Sequence, residues 1–367
     1  MKSGLLLLTA VVLSLNAGAQ AFRFSPGGDS SQSISLEAYA DVYFGFDFNQ
    51  PEDRTRPYSV SHSRHSETNL NLAYLSIKYT SERARVNFTP GFGTYMNANY
   101  ATERATLQHI VEASIGVKPW KHKGIWIDMG VFPAPYTTEG PVAHDQLLYT
   151  RSLGAEYSPY YLTGIRATVP ICSKVNLYLY LINGWQIIED INAPLSFGST
   201  IEWKPAEMLT INWSTYVGDE RATSQPQYGS RYFSDLNLTC TPDKRYTFSA
   251  DVYAGRQERT DSIDNKEQVN WYQGNVAVRR NLGHRQSIAA RLEYFNDAHA
   301  VLVVPVTGLN RFDCGSFSLG YHVAVTGNVS FHAEGRYYIS GDDVFLDDQN
   351  GPTNNAALLI GGLTAKF

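Results

Sequence analysis

Little in this 367-residue chain fits a disulfide-stapled domain or a helical membrane protein. Its three cysteines, Cys172, Cys240 and Cys314, are an odd number without CxxC or other ligand spacing. That argues against a disulfide framework or a zinc site, allows at most one bridge, and leaves the cysteines as small, semi-apolar residues. Beyond Gln20 no apolar run reaches the roughly 20 residues that a spanning helix needs. Basic clusters are missing as well, and a formal net charge of -5 argues against a nucleic-acid partner. No paired-carboxylate site or serine motif is evident. Asp297 and His299 share a segment without a third partner, so no catalytic residue is assigned and an enzyme is not expected. No cofactor is expected either.

What is present begins at the amino terminus. Lys2 precedes an apolar run from Leu5 to Leu15, and Ala17-Gly18-Ala19 supplies the small residues that a signal peptidase accepts. Residues 1–19 therefore read as a secretory signal peptide cut before Gln20, with 20–367 forming a single domain. Aromatics make up 13% of the chain and tyrosine alone contributes 24 residues, yet the mean hydropathy is -0.27. A transmembrane barrel, in which only alternate residues meet lipid, has this balance. A large soluble β protein can share it, so patterning has to decide.

Period-two alternation is the strongest pattern, and it places successive side chains on opposite faces of a strand. In the first segment Leu36, Ala38, Ala40, Val42, Phe44, Phe46 and Phe48 form one face, while Glu37, Tyr39, Asp41, Tyr43 and Asp47 form the other. A register slip of one residue would turn three carboxylates toward the apolar side. The chain ends the same way, with Ala357, Leu359, Gly361, Leu363, Ala365 and the terminal Phe367 on one face. Val175–Leu181, Leu195–Trp203, Tyr246–Val252 and Val329–Tyr337 repeat the pattern. Asn69–Tyr79 mixes its faces and is a weaker strand. Aromatics expected on the lipid face near strand ends are Phe44, Phe46, Phe48, Tyr79, Tyr161, Trp203, Tyr246, Tyr294, Tyr337 and Phe367.

Connection length alternates too. Short links fall at Thr80–Arg83, Lys118–Lys123, Pro170–Ser173, Lys204–Glu207, Thr241–Lys244, Asn281–Arg285 and Val325–Asn328. Long polar segments lie between them at Asn49–Glu67, Pro133–Pro159, Gly218–Tyr228, Gln257–Gln268, Asn296–Asn310 and Ser340–Asn354. Short turns on one side and long loops on the other are the periplasmic and extracellular ends of an outer-membrane barrel. The fold class is thus all-β: a transmembrane antiparallel barrel of about sixteen strands, with fourteen or eighteen also compatible. A barrel of that width leaves an aqueous channel.

Several stretches then resemble one family. Tyr39-Ala40-Asp41-Val42-Tyr43 with Asp47-Phe48-Asn49-Gln50-Pro51 resembles the opening of the OmpL-like β-barrel porins typical of Bacteroidota. Asn71-Leu72-Ala73-Tyr74-Leu75, Tyr149-Thr150-Arg151-Ser152-Leu153, Ser158-Pro159-Tyr160-Tyr161 and Asn183-Gly184-Trp185-Gln186 follow in the same order. The resemblance covers essentially the mature chain. It implies an outer-membrane location and porin activity, and it supplies no catalytic residues.

A porin needs a polar lumen and a constriction. Pro133–Pro159 is the longest loop and falls where general porins fold a loop into the barrel. Its constriction candidates are Glu139, His144, Asp145, Arg151 and Glu156, with Leu147-Leu148-Tyr149 as a patch for the wall. Lumen-facing charges are expected at Glu37, Asp41, Asp47, Glu112, Asp128, Glu202, Asp235, Asp251, Glu293 and Glu334. The bases expected there are Arg85, Arg166, Arg231, Arg279, Arg291 and Arg336. Acids outnumber bases, which suggests a weak cation preference. His62 and His65 have His-x-x-His spacing without a third ligand. Asp342, Asp343, Asp347 and Asp348 are weak calcium candidates that a solvated acidic loop explains as well. Expected partners are outer-membrane lipid and lipopolysaccharide, the barrel assembly machinery, small hydrophilic solutes and two further copies in a homotrimer. An adhesin or assembly barrel without a large open pore is the alternative.

Overall fold

Alternating apolar and polar residues cannot bury both faces of a strand, so these segments pair edge to edge and separate lipid from lumen. The computed structural model describes residues 22–26, 31–121, 123–190, 194–222, 225–260 and 265–367. The signal-peptide segment lies outside them.

Sixteen long strands form one antiparallel sheet: β1 Ser33–Asp47, β2 Thr68–Thr80, β3 Ala84–Phe92, β4 Ile110–Val117, β5 Trp126–Pro133, β6 Tyr161–Cys172, β7 Val175–Ile182 and β8 Ser196–Ala206. They continue with β9 Leu209–Asp219, β10 Tyr228–Cys240, β11 Tyr246–Thr260, β12 Lys266–Asn281, β13 Gln286–Asp297, β14 Phe312–Ala324, β15 Val329–Ile339 and β16 Asn355–Lys366. Each strand pairs with the next, and β16 closes on β1 from Leu358↔Asp47 to Lys366↔Tyr39. Closure removes every free edge, so no backbone group needs to face lipid unpaired. The short strand Phe22–Phe24 pairs with Ile34–Leu36, next to the carboxyl-terminal end of β16.

The register of the first and last strands matches the sequence pattern. Val42, Phe44, Leu359, Leu363 and Phe367 are exposed on the lipid face, while Tyr39, Asp41, Tyr43 and Asp47 are buried inside. Asn69–Tyr79 mixes its faces for a physical reason. The pairing slips between Asp41↔Leu72 and Val42↔Leu70, so Asn71 is an extra residue on β2. This β-bulge turns both Asn71 and Leu72 inward and breaks the period.

Two other expectations are corrected. Tyr161 does not face lipid: it is buried, stacks on Tyr100 with centroids 4.3 Å apart and donates its hydroxyl to Glu103 at 2.7 Å. Gln257–Gln268 is mostly strand, since β11 runs to Thr260 and β12 starts at Lys266. The remaining long connections hold, and two more join them at 93–109 and 183–195. The first of these contains the helix α1, Thr94–Asn99, and residues 134–160 contain the turn-long helix α2, Leu153–Glu156.

Candidate functional site: the lumen and its inward-folded loop

The loop 134–160 folds into the barrel and lies against strands β9 to β16 and β1. Glu334 on β15 accepts the backbone amides of Tyr149 and Thr150, each at 2.8 Å, and the Thr150 hydroxyl at 2.6 Å. Arg291 on β13 donates to the Thr150 carbonyl at 2.8 Å, to the Arg151 carbonyl at 3.1 Å and to Glu139 at 2.7 Å. Arg336 also donates to the Arg151 carbonyl, at 2.6 Å, and pairs with Glu293, which accepts the Leu153 amide at 2.6 Å. Further round the wall, Asp235 accepts the Thr137 amide at 2.7 Å and Tyr253 donates to the Gly154 carbonyl at 2.9 Å. Arg279 caps the Leu147 carbonyl. Most of these are charge-assisted bonds to the loop backbone, the strongest class available to a side chain.

Inside the loop, Ser152 caps α2 by accepting the Ala155 amide, and Glu139 accepts the Ser152 amide at 2.8 Å. Arg151 is fully buried, donates to the Gly140 carbonyl at 2.7 Å and approaches the rings of Tyr95 and Tyr160. Glu156 accepts the amides of Val60 at 2.9 Å and Ser61 at 3.4 Å, which joins this loop to the loop 48–67. Burial pushes the Glu156 carboxyl up to about 7, against the pull of Arg151 and those two amides. His144 and Asp145 lie nearer the chain terminus, where Lys366 reaches Asp145 at 2.6 Å. Burial works against ionisation of Asp145, but the bonds from His144 and Lys366 hold it below the usual carboxylate range.

Of the expected lumen charges, Asp41, Asp235, Asp251, Arg279, Arg291, Glu293, Glu334 and Arg336 gather under or beside this loop. Asp41 accepts from Asn71 at 2.9 Å, from the Tyr149 hydroxyl and from Nε2 of His62 at 3.0 Å. Asp251 accepts from Gln273. The others stand apart from it. Arg85 and Arg166 converge on Asp128, at 2.6 and 3.3 Å. Glu112 accepts from Asn87, Glu202 from Asn176 and Glu37 from the Tyr74 hydroxyl. Arg231 bonds Gln257, and Asp47 caps the turn at Asn49 beside Arg56.

Sequence reading found one inward loop where the structure has several. Tyr58, His62, Tyr95, Met96, Tyr100 and Tyr136 are all buried, with Trp185 half-buried against Tyr136. Loops 48–67 and 93–109 and the segment 183–190 therefore help fill the extracellular half of the lumen. The signal was present as clustered aromatics within otherwise polar loops, a composition that solvated loops do not need.

The histidine and aspartate motifs do not converge. His62 faces Asp41, whereas Nδ1 of His65 accepts the Asp47 amide at 3.0 Å. Burial lowers the His62 imidazole from its ordinary range, with Asp41 opposing the shift. Asp342 pairs with Arg311, and Asp347 accepts the amides of Gln349 and Gly351 within its own turn. Among the described residues no three His, Cys, Asp or Glu side chains are grouped to hold a metal.

The barrel resembles several solved outer-membrane proteins. One is the anion-selective porin from Comamonas acidovorans, with TM-score 0.61 and 8% identity over 92% of this chain and 100% of that one. The channel DcaP of Acinetobacter baumannii matches with TM-score 0.62 and 8% identity over 94% and 99%. The trimer form of OmpT from Vibrio cholerae matches with TM-score 0.57 and 10% identity over 92% and 100%. No curated protein matches in sequence. At such identities these structures speak for the fold alone. Residues 33–367, by contrast, match the family model described as "Putative beta-barrel porin-2, OmpL-like", so the chain belongs to that family of outer-membrane β-barrel porins.

Proposed function

We propose that the protein is a narrow porin through which small hydrophilic solutes and ions diffuse passively past the loop 134–160. The observation that carries this reading is the docking of that loop on Arg291, Glu334 and Arg336, deep within a sixteen-stranded barrel. The acid excess counted along the strands bears little on the ion path, because Asp41, Glu293 and Glu334 are spent on holding loops. The weak cation preference suggested by that count is best tested by reversal potential in a salt gradient. Lipid and lipopolysaccharide meet the exposed apolar band, and the strand ending at Phe367 is offered to the assembly machinery. Homotrimer formation, checked by chemical cross-linking in membranes, completes the reading.

The test is planar-bilayer conductance of the refolded mature chain. Steady channel openings are expected, with larger steps when Glu334→Ala frees the loop. Silence from both proteins favours the second reading, an adhesin or binding barrel. One observation favours that alternative: a cavity of about 560 Å³ opens at the extracellular end among loops 48–67, 298–311 and 340–354.

A further inference from the structure

Near the periplasmic rim, on the wall that the loop 134–160 leaves uncovered, lies a cavity of about 700 Å³. Strand register explains its lining. Ser33, Thr80, Arg85, Gly116, Asp128 and Arg166 are successive partners on β1 to β6, so they form one continuous rung. Ser35, Lys78 and Asn87 are partners on the next residue pair inward. Arg23, on the short strand opposite Ser35, closes the near side and donates to the Ser33 hydroxyl at 3.1 Å.

The charge on this wall is one-sided. Arg23, Lys78, Arg85 and Arg166 line the cavity, together with the hydroxyls of Ser33, Ser35 and Thr80 and the amide of Asn87. No carboxylate lines it among the described residues. Asp128 is shared by Arg85 and Arg166 and has a side chain only 1% exposed, so one buried negative charge stands against two guanidinium groups. Glu112, farther up the wall, is engaged by Asn87. The side chains of Arg85 and Arg166 stay 27% and 18% exposed. Planar N–H donors beside hydroxyls match oxygen anions better than they match chloride, which offers no directed lone-pair geometry.

We infer that this cavity is a binding subsite for small oxyanions, of the phosphate class before simple carboxylates. It rests on the lumen being water-filled, as the porin reading requires, but not on a continuous conducting path. A solute entering from the periplasmic end would meet four cationic side chains before it reached the docked loop.

Equilibrium titration of the refolded chain in detergent with inorganic phosphate tests this, with acetate and chloride as parallel arms. Saturable phosphate binding is expected, tighter than acetate and much tighter than chloride. The double variant Arg23→Gln/Lys78→Gln should weaken phosphate binding by about tenfold, since it removes two of four converging charges. Lys244→Gln/Arg245→Gln, at a periplasmic turn outside this cavity, should leave it unchanged. Heat-modifiable gel mobility verifies that each variant is folded. Equal affinities for phosphate and chloride, or an unaltered double variant, would overturn the inference. So would loss of binding in the Lys244/Arg245 control. A barrel that conducts but binds no phosphate refutes the subsite and spares the porin; one that binds phosphate without conducting does the reverse.

Discussion

Burial of Glu156 beneath the first long loop raises its carboxyl from an ordinary value of 4.5 to about 7. A raised carboxyl favours the folded arrangement while it is protonated. The contribution is therefore full below about pH 4.5 and is lost as pH climbs through about 7. Contact between loops 48–67 and 134–160 should accordingly loosen as pH rises from about 4.5 to about 7. Hydrogen exchange at the Val60 and Ser61 amides reads this directly, and Glu156→Gln should flatten the pH dependence. A wild-type profile as flat as that of the variant would sink the idea. Gly116 makes a second point at this scale. A Cβ there would lie 2.2 Å from Oδ1 of Asp128 and 2.8 Å from Cγ of Arg85, so the glycine lets Arg85 cross over β4 to reach Asp128. Gly116→Ala should fold but separate that pair, which moves the Asp128 carbon resonance in a labelled sample while Arg166→Lys leaves the crossing intact.

The docked loop is the element on which function turns, and Glu334 is its main anchor. Removing that carboxylate leaves two amides and one hydroxyl without their acceptor and takes a negative charge from beside Arg291, which keeps Glu139 and the Thr150 carbonyl. Breaking a buried charged contact of this kind costs roughly 3–5 kcal/mol, enough to undock a loop held by a handful of bonds while the sixteen-stranded ladder persists. Glu334→Ala should therefore expose the fully buried Arg151 to trypsin in the folded barrel, whereas the wild type resists cleavage there. How much of this was legible follows from the same physics. Strands were readable because lipid on one side and water on the other enforce period two, and Val42/Asp41 or Leu363/Thr364 obey it. Asn71 was not, because a bulge is set by pairing with another strand and leaves no local mark. Glu334 and Arg291 could be placed inside, but their bond to Thr150 depends on the path of a loop with no period at all. The first long loop hides its conformation still better. Gln50, Arg54, Tyr58, His62 and Ser66 all have positive φ, a recurrence every four residues that no glycine advertises.

Taken as a whole, the molecule sorts its charge along the barrel axis. At the extracellular end Asp47, Glu52, Asp53 and Asp347 line the cavity among the long loops. At the periplasmic end Arg23, Lys78, Arg85 and Arg166 line one cavity, and Arg279 and Arg285 line another of about 370 Å³. An acidic entrance admits cations and a basic one admits anions. When the extracellular side is positive, each ion enters through the end that attracts it and both accumulate inside; the opposite polarity drains the lumen of both. Current through oriented channels should therefore be larger with the extracellular side positive. Screening lengths fall from about 10 Å at 0.1 M salt to about 3 Å at 1 M, so the asymmetry should shrink over that range. Arg23→Gln/Lys78→Gln should reduce it at low salt by erasing half of the basic cavity's charge. A symmetric current–voltage curve at 0.1 M salt would mean that the ion path bypasses one of these two ends, and the acidic cavity, which sits among loops rather than against the lumen wall, would be the end bypassed.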